Sequence, residues 1–345
     1  MCAASERGDP VTRNWLRSLI VVALVTLLTT AAAQQSGKVP TVGVLMLASG
    51  PHDTVVEAFR RGMGDLGYVE GRNVRIEHRS ALGKIELLPQ LAEELVATHV
   101  DVIVAGAVVT ARAARNATST VPIVVAFHDY DPVAAGLIER FNRPGGNFTG
   151  VFGRQSDLAG KRIELLRETL PRISRLAVLS DASSGDVSRG EMSRIQHEEL
   201  EPLARSAGLE LQLIEVRAPY DFRAAFKAAK AKKVGAVMVL FSPVFYSLPW
   251  RVRLAEAALA ARLPTIFQDS DNVRAGGLIS YGTDVADDWG RAAYFVDRLL
   301  KGAKPEDLPV ERVSNFRLAV NLRTAKALGL KVPQSILLRA DEVIQ

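Results

Sequence analysis

At 345 residues the chain is long for one domain and suits two, and a hydrophobic content of 48% excludes disorder as its main state. Its formal net charge is +5, yet the basic residues are scattered among acids with no basic run and no aromatic-interleaved patch. That distribution argues against nucleic acid as a partner.

In chain order, Arg13 and Arg17 precede an apolar run, Leu19 to Thr30, and small residues follow through Ala33. Residues 1–33 therefore read as a cleaved export signal, cut after Ala33. The apolar run is shorter than the ~20 residues that a bilayer span needs. Cleavage there also removes Cys2, the single cysteine, which precedes the apolar run and so is no lipid-carrying residue at the cut. The expected product is a soluble periplasmic protein without disulfides.

From Pro40 onward, short apolar runs alternate with amphipathic stretches. "TVGVLML" (41–47) predicts a buried strand, and Asp53 to Leu66 a helix with Val55, Val56, Phe59 and Met63 on one face. A second strand ends "GYVEGRNVRIEHR", a helix runs near Glu86 to Thr98, and strands follow at 101–105 and 122–127. A further helix is expected from Pro132, where proline suits a first turn.

The breakers in "NRPGGNFTGV" (142–151) end that region, after which the pattern restarts. Helices are expected over 157–170 and 190–207, strands at 175–180, 210–216, 235–241 and 263–268, with helices between the later strands. The sequons at Asn116 and Asn147 are read as incidental.

The repeated alternation predicts an α/β protein of two doubly wound parallel-sheet lobes. "GGLISYGTD" (276–284) resembles the earlier Gly-Gly stretch, and a helix spans 285–300. The expected division is 38–150 plus 283–312 for one lobe and 151–282 plus 313–345 for the other. The hinge is placed at Gly146, Thr149 and Gly150, at Tyr281 and Gly282, and at Ser314.

In such sheets ligands sit beyond the carboxyl ends of the strands. The polar residues expected there are Ser49, Gly106 to Thr110, His128, Asp129 and Asp131 in the first unit, and Ser180 to Ser184, Ser242 and Asp269 to Asp271 in the second. Phe127, Phe241 and Phe245 are candidate apolar walls. None of the five histidines pairs with another at metal-ligand spacing. Nucleophile elbow, Walker A and dinucleotide fingerprints are all missing. No metal, cofactor or catalytic group is therefore expected.

Several segments together carry a family resemblance: "FRRGMGDLGYVEGRNVRIEHR", "DPVAAGLIERFNRPGGNFTGV", "AGGLISYGTD", "RAAYFVDRLLKGAKPEDLPVE" and "NLRTAKALGLKVPQSILLRADEVI". The chain resembles ABC-transporter substrate-binding proteins of the tryptophan/tyrosine-binding type, a branch of the type I periplasmic binding fold. The resemblance runs from about residue 40 to the C-terminus. It implies a monomer that captures an amino acid or small carboxylate, aromatic ones included, and delivers it to a membrane permease driven by an ATPase.

By position it implies Ser49 and Gly50 in the first loop, with Gly106, Ala107, Val108 and Thr110 toward a ligand carboxylate. Asp131 would pair with an amino group, and Ser183, Ser242 and Asp269 would approach from the second lobe. The loops "LASGPHD", "SDASSGD" and "FSPVFYS" depart from the tryptophan-type pattern, so the resemblance implies transport more than any one ligand. The alternatives are a ligand-sensing module for a receptor and a periplasmic α/β enzyme.

Overall fold

The computed structural model describes residues 39–345 other than 129–130, 135, 154, 183–186 and 243, and leaves aside the side chains of 127–128, 155–156 and 187–196. The first sheet contains β1 (Thr41–Met46), β2 (Arg75–Ser80), β3 (Val102–Ala105), β4 (Ile123–His128), β5 (Phe148–Gly153) and β11 (Glu311–Arg312). Its order is β11-β5-β4-β3-β1-β2, and every pairing is parallel.

The second sheet contains β6 (Arg175–Asp181), β7 (Glu210–Val216), β8 (Ala236–Val239), β9 (Thr265–Phe267), β10 (Ile279–Thr283), β12 (Phe316–Asn321) and β13 (Glu342–Ile344). Its order is β13-β12-β10-β9-β8-β6-β7, with only the β10–β12 pair antiparallel.

The orders β2-β1-β3-β4-β5 and β7-β6-β8-β9-β10 are the same layout used twice. In each, the winding reverses beside the first strand, between β1 and β3 and between β6 and β8. Such reversals open a crevice at the carboxyl ends of the strands.

Helices cover both faces of each sheet, which explains why the strands β1, β3 and β8 are buried along their whole length. On the first sheet, α1 (Thr54–Asp65) buries Val55, Val56, Phe59 and Met63, the stripe that its spacing predicts. The other face carries α2 (Leu88–Ala97) and α3 (Val108–Ala117).

The second sheet holds α4 (Ala159–Thr169), α5 (Val187–Ser206), α6 (Phe222–Ala231), α7 (Trp250–Ala261) and the short α8 (Ser270–Arg274). One helix breaks this order. α9 (Val285–Leu300) follows β10 of the second sheet, yet it buries Trp289, Ala292, Ala293 and Val296 in the core of the first, with Val44, Val104 and Val124. The chain ends with α10 (Leu322–Leu328), α11 (Gln334–Leu337) and β13.

The chain therefore passes between the sheets after Gly153, between Thr283 and Val285, and between Arg312 and Phe316. Ser314 lies in the third passage, while Tyr281 and Gly282 are inside β10 just before the second. Gly146, Thr149 and Gly150 lie earlier than the first passage, within the first sheet and the turn before it.

Gly150 has φ 130°, and a Cβ there would fall 2.2 Å from the Val125 carbonyl oxygen. Its glycine serves the close β4–β5 pairing. Thr149 is buried and its hydroxyl donates to Leu308 O at 2.8 Å. The Asn147 side chain donates to the backbone oxygens of Val121 (2.8 Å) and Thr118 (3.3 Å), a structural role for that sequon residue.

The helix expected from Pro132 is not formed. Asp131 Oδ1 accepts from the Val133 and Ala134 amides at 2.9 and 3.2 Å, and Gly136 turns at φ 66°. The amides of Leu137 and Ile138 then both return to Pro132 O. A compact turn buries Leu137 and Ile138 in the core beneath the first sheet. Among the described residues no helix is long and apolar enough to cross a membrane.

Candidate functional site

Loops at the carboxyl ends of both sheets meet around a small void of about 50 Å³. From the first sheet come Met46 at the end of β1, Ser49 and Asp53 in the loop that follows, and Gly106 after β3. Val55 on α1 and Val285 and Trp289 on α9 complete that side. Phe241 and Tyr246 approach from the loop after β8, Arg251 from the first turn of α7, and Asp269 and Asp271 from the segment after β9.

The apolar parts form a defined wall. Phe241 and Tyr246 rings lie 5.0 Å apart at 50°. Gly106 admits Trp289: a Cβ at 106 would lie 2.6 Å from Trp289 Cζ2 and 3.2 Å from Met46 Sδ. The bare backbone lets the indole seat against the end of β3.

The polar parts carry an imbalance of charge. Arg251 is buried, and its Nε and Nη2 donate to Tyr246 O, the former at 2.8 Å. Its Nη1 donates to Asp271 Oδ2 at 2.5 Å. Its remaining reach is toward the other sheet, where Nη2 stands 3.6 Å from Asp53 Oδ1.

Asp53 is the N-cap residue of α1, a position whose side chain usually accepts from its own helix. Here it makes no such bond. Its Oδ2 takes only a 3.4 Å contact from the Leu248 amide, and its Oδ1 accepts no hydrogen bond. The helix dipole favours a negative charge at that place.

Asp269 caps α8 by accepting from the Asp271 amide at 2.7 Å. Burial, then the neighbouring Asp271, pushes its carboxyl up to about 7 against the opposing pull of Arg251. Asp271 is held below its ordinary value: burial raises it, but Arg251 and Arg274 outweigh burial. Behind the void, burial drives the Asp288 carboxyl well above the usual range despite a hydrogen bond from Thr283. Three acidic side chains and one guanidinium thus line the void, and Arg274, outside it, also pairs with Asp271 at 2.7 Å.

The expected site residues divide. Ser49, Gly106 and Asp269 line the void; Gly50 accepts from the Asp53 amide at 3.1 Å and so shapes the same loop. Ala107 and Val108 open α3, but Thr110 is wholly buried. Its hydroxyl accepts from Ala107 N at 2.9 Å and donates to Ala107 O at 2.8 Å, so it closes its own turn.

Ser242 is engaged within its own sheet, donating to Asp181 Oδ2 at 2.7 Å. Asp131 is exposed in the turn described above and does not reach the void. His128 ends β4, and Asp129, Ser183 and Ser184 lie outside the described residues. Of the expected aromatic walls Phe241 is one, whereas Phe245 is core, edge-on to Phe222 at 5.3 Å; the Phe127 side chain lies outside the description.

Sequence reasoning reached Asp271 with Asp269 but missed Asp53, Arg251, Tyr246 and Trp289. Asp53 was legible as a helix start, and its place at the end of the loop after β1 could have marked it as a site residue too.

A larger hollow, about 560 Å³, lies between α1, the start of α9 and the third passage, with Ser314 in its wall. Much of its charge is already paired: Arg291 Nη2 with Glu311 at 2.5 Å, and Arg312 with Asp157 at 2.6 Å. Of these two, the smaller void is the better ligand site because it combines strand ends, aromatic walls and incompletely bonded charge.

A family model described as "ABC transporter substrate binding protein" matches residues 41–344. The chain belongs to that family. Its members are solute-binding proteins rather than enzymes, they work outside the cytoplasm, and their ligand passes to a membrane permease. The two parallel-dominated sheets are those of the type I periplasmic binding fold.

Among relatives of this substrate-binding protein, a "Tyrosine-binding protein" from Clostridioides difficile is 26% identical over 301 residues, covering 86% of this chain and 83% of the relative. A Streptococcus pneumonia ABC domain, solved in complex with L-Trp, superposes with a TM-score of 0.78 at 26% identity, covering 89% of this chain and all of that one. A conserved domain protein from Vibrio cholerae gives 0.76 at 28% identity with the same coverage.

Proposed function

We propose that this substrate-binding protein captures an aromatic amino acid in the void between its two sheets and presents it to the permease. The observation that carries this reading is the pairing, in one place, of the Phe241, Tyr246 and Trp289 walls with acidic groups from both sheets. An aromatic ring supplies apolar area and the walls supply edge or face contacts. An ammonium group finds carboxylates. Relatives named for tyrosine and solved with L-Trp lend the same chemistry.

The void of about 50 Å³ holds a water or two, so a ligand of this size enters by parting the sheets. One lobe would carry β1–β5, α9 and β11, and the other β6–β10, β12 and β13, turning on the three passages. Ligand contacts made to both lobes only when they close shift the population toward closure. Residues 1–33 act as the export signal, the product is a periplasmic monomer, and it carries out no turnover.

A thermal-shift screen of the twenty amino acids and of small carboxylates tests the reading. Tryptophan, tyrosine or phenylalanine should raise the melting temperature most, and the compound recovered afterwards should be unchanged. A shift confined to aliphatic or sugar ligands would sink it.

A further inference from the structure

Asp53 is buried at the mouth of a helix that it does not cap. Asp53 lines the void, and its buried Oδ1 accepts no hydrogen bond. A buried carboxylate in that condition is costly unless a cation completes it. Arg251 comes nearest, but at 3.6 Å its Nη2 stands beyond hydrogen-bond distance. The better-made bonds of that guanidinium go to Tyr246 O and Asp271. Arg251 is therefore fixed to its own sheet and only leans toward the other.

Two assignments of the charged groups are chemically open to a zwitterionic ligand. In one, Arg251 receives the ligand carboxylate. Three of its five N–H donors are already engaged on Tyr246 O and Asp271, so an anion would find only the one remaining N–H on each terminal nitrogen. In the other, Asp53 receives the ligand ammonium, supplying the donor its Oδ1 lacks. Asp271 is already paired with Arg251 at 2.5 Å and Arg274 at 2.7 Å, whereas Asp53 Oδ1 lacks a donor, and that difference favours the second.

We propose that Asp53 is the residue that selects the ligand, taking its positively charged nitrogen across the void, and that Arg251 is a tethered cation competing for the same carboxylate. The ligand class that follows is an aromatic compound with a primary ammonium group, whose own carboxylate is secondary. This rests on the aromatic-ligand reading of the site. The competition gives Arg251 a definite role: it offsets Asp53 while the sheets are together, and a ligand ammonium that bonds Asp53 directly takes its place.

The test is calorimetric titration of the full chain with L-tryptophan, tryptamine and indole-3-propionate, which keep the indole and remove in turn the carboxylate and the ammonium. Tryptophan and tryptamine should bind, and indole-3-propionate should be weaker by about ten-fold or more, the scale of a lost charge-assisted hydrogen bond. Asp53→Asn, nearly isosteric, should weaken both amines by a similar factor and leave indole-3-propionate no weaker. Arg251→Gln should tighten tryptamine, since it removes the competitor. Circular dichroism melts establish that each variant is folded.

If Arg251→Gln instead weakens tryptophan and indole-3-propionate and spares tryptamine, Arg251 is the anion receptor and the proposal is overturned. Indole-3-propionate binding as tightly as tryptophan also overturns it, while leaving the aromatic-ligand reading intact. Should none of the three bind the folded wild type, and the thermal-shift screen find no stabilising tyrosine or phenylalanine, that reading fails and the proposal with it.

Discussion

Gly62 of α1 and Gly290 of α9 bring two helices from distant parts of the chain into backbone contact. A Cβ on Gly62 would lie 2.6 Å from Gly290 O and 3.1 Å from its Cα. This approach docks α9, which has just left the second sheet, onto the first sheet, and it places Trp289 against Gly106 at the floor of the void. The helix pair thus ties the second passage to the geometry of the site.

The contact is asymmetric. A Cβ on Gly290 would meet Ala58 O at 3.8 Å, an ordinary distance. Gly62→Ala should destabilise by about 1–3 kcal/mol through overpacking. Gly290→Ala should be neutral or stabilise by about 0.5–1 kcal/mol, the usual gain of alanine over glycine inside a helix. Urea denaturation of both variants checks this, and equal losses would argue against the asymmetry.

Asp131→Ala separates the sequence expectation from the structure. Asp131 would bind a ligand amino group on position in the sequence, but it is exposed and caps a turn through its Oδ1. Ligand affinity should be unchanged, with a stability loss of about 0.5–1 kcal/mol, on the scale of a lost exposed cap. A clear drop in affinity at constant melting temperature would place Asp131 in the site after all.

Asp269 gives the protein a dependence on pH. Its carboxyl lies at about 7, against 3.8 ordinarily, because of burial and then Asp271. Between those values the folded chain keeps a proton that the unfolded chain has lost. Stability from this residue therefore falls as pH rises through that window and is lowest above it. Asp269→Asn keeps an acceptor for the Asp271 amide and removes the charge. Its melting temperature should exceed that of the wild type at pH 8 and approach it at pH 4; parallel pH profiles would show that Asp269 does not titrate in this range.

His78 acts at the other end of the scale. Burial first, then Arg60, lower its imidazole to about 4 from 6.5, while a bond to the Ser49 backbone links it to the first loop of the site. The neutral form is the folded one, so stability from His78 is present above 6.5 and is lost as pH falls toward 4. His78→Gln should flatten the acid limb of a stability profile between those values, and an unchanged limb would exclude this residue as its source.

Much of the fold was legible in local pattern. Val55, Val56, Phe59 and Met63 recur at helical spacing, and "TVGVLML" and "ELQLIEV" announce strands at nearly their observed bounds. Pro132 misled because proline suits a first helical turn and a tight turn equally, and only the burial of Leu137 and Ile138 decides between them. The glycines at 146 and 150 were ambiguous in a related way. Glycine marks an unusual backbone angle or a close approach without saying which, and at Gly150 the structure shows the close approach, to Val125 in the β4–β5 pairing.

Within the site, Ser49, Gly106 and Asp269 were recoverable because polar residues just beyond β-strands can be read from order along the chain. Asp53 and Arg251 were not recoverable as a pair. Each has a sufficient local explanation, a helix start and a basic residue in a first helical turn. Thr110 and Ser242 show the converse: residues of suitable type at suitable places, engaged instead by Ala107 and Asp181.

The sequence by itself determined that this chain forms two successive α/β units with the segments of a substrate-binding family, since burial against a sheet imposes a repeat of two or 3.6 residues on neighbouring positions. Only the tertiary structure decided which side chains meet between the sheets. Asp53 facing Arg251, Trp289 resting on Gly106 and α9 returning to the first sheet join residues remote in the chain. Local periodicity states that a residue is buried, and the packing of the two sheets states against what.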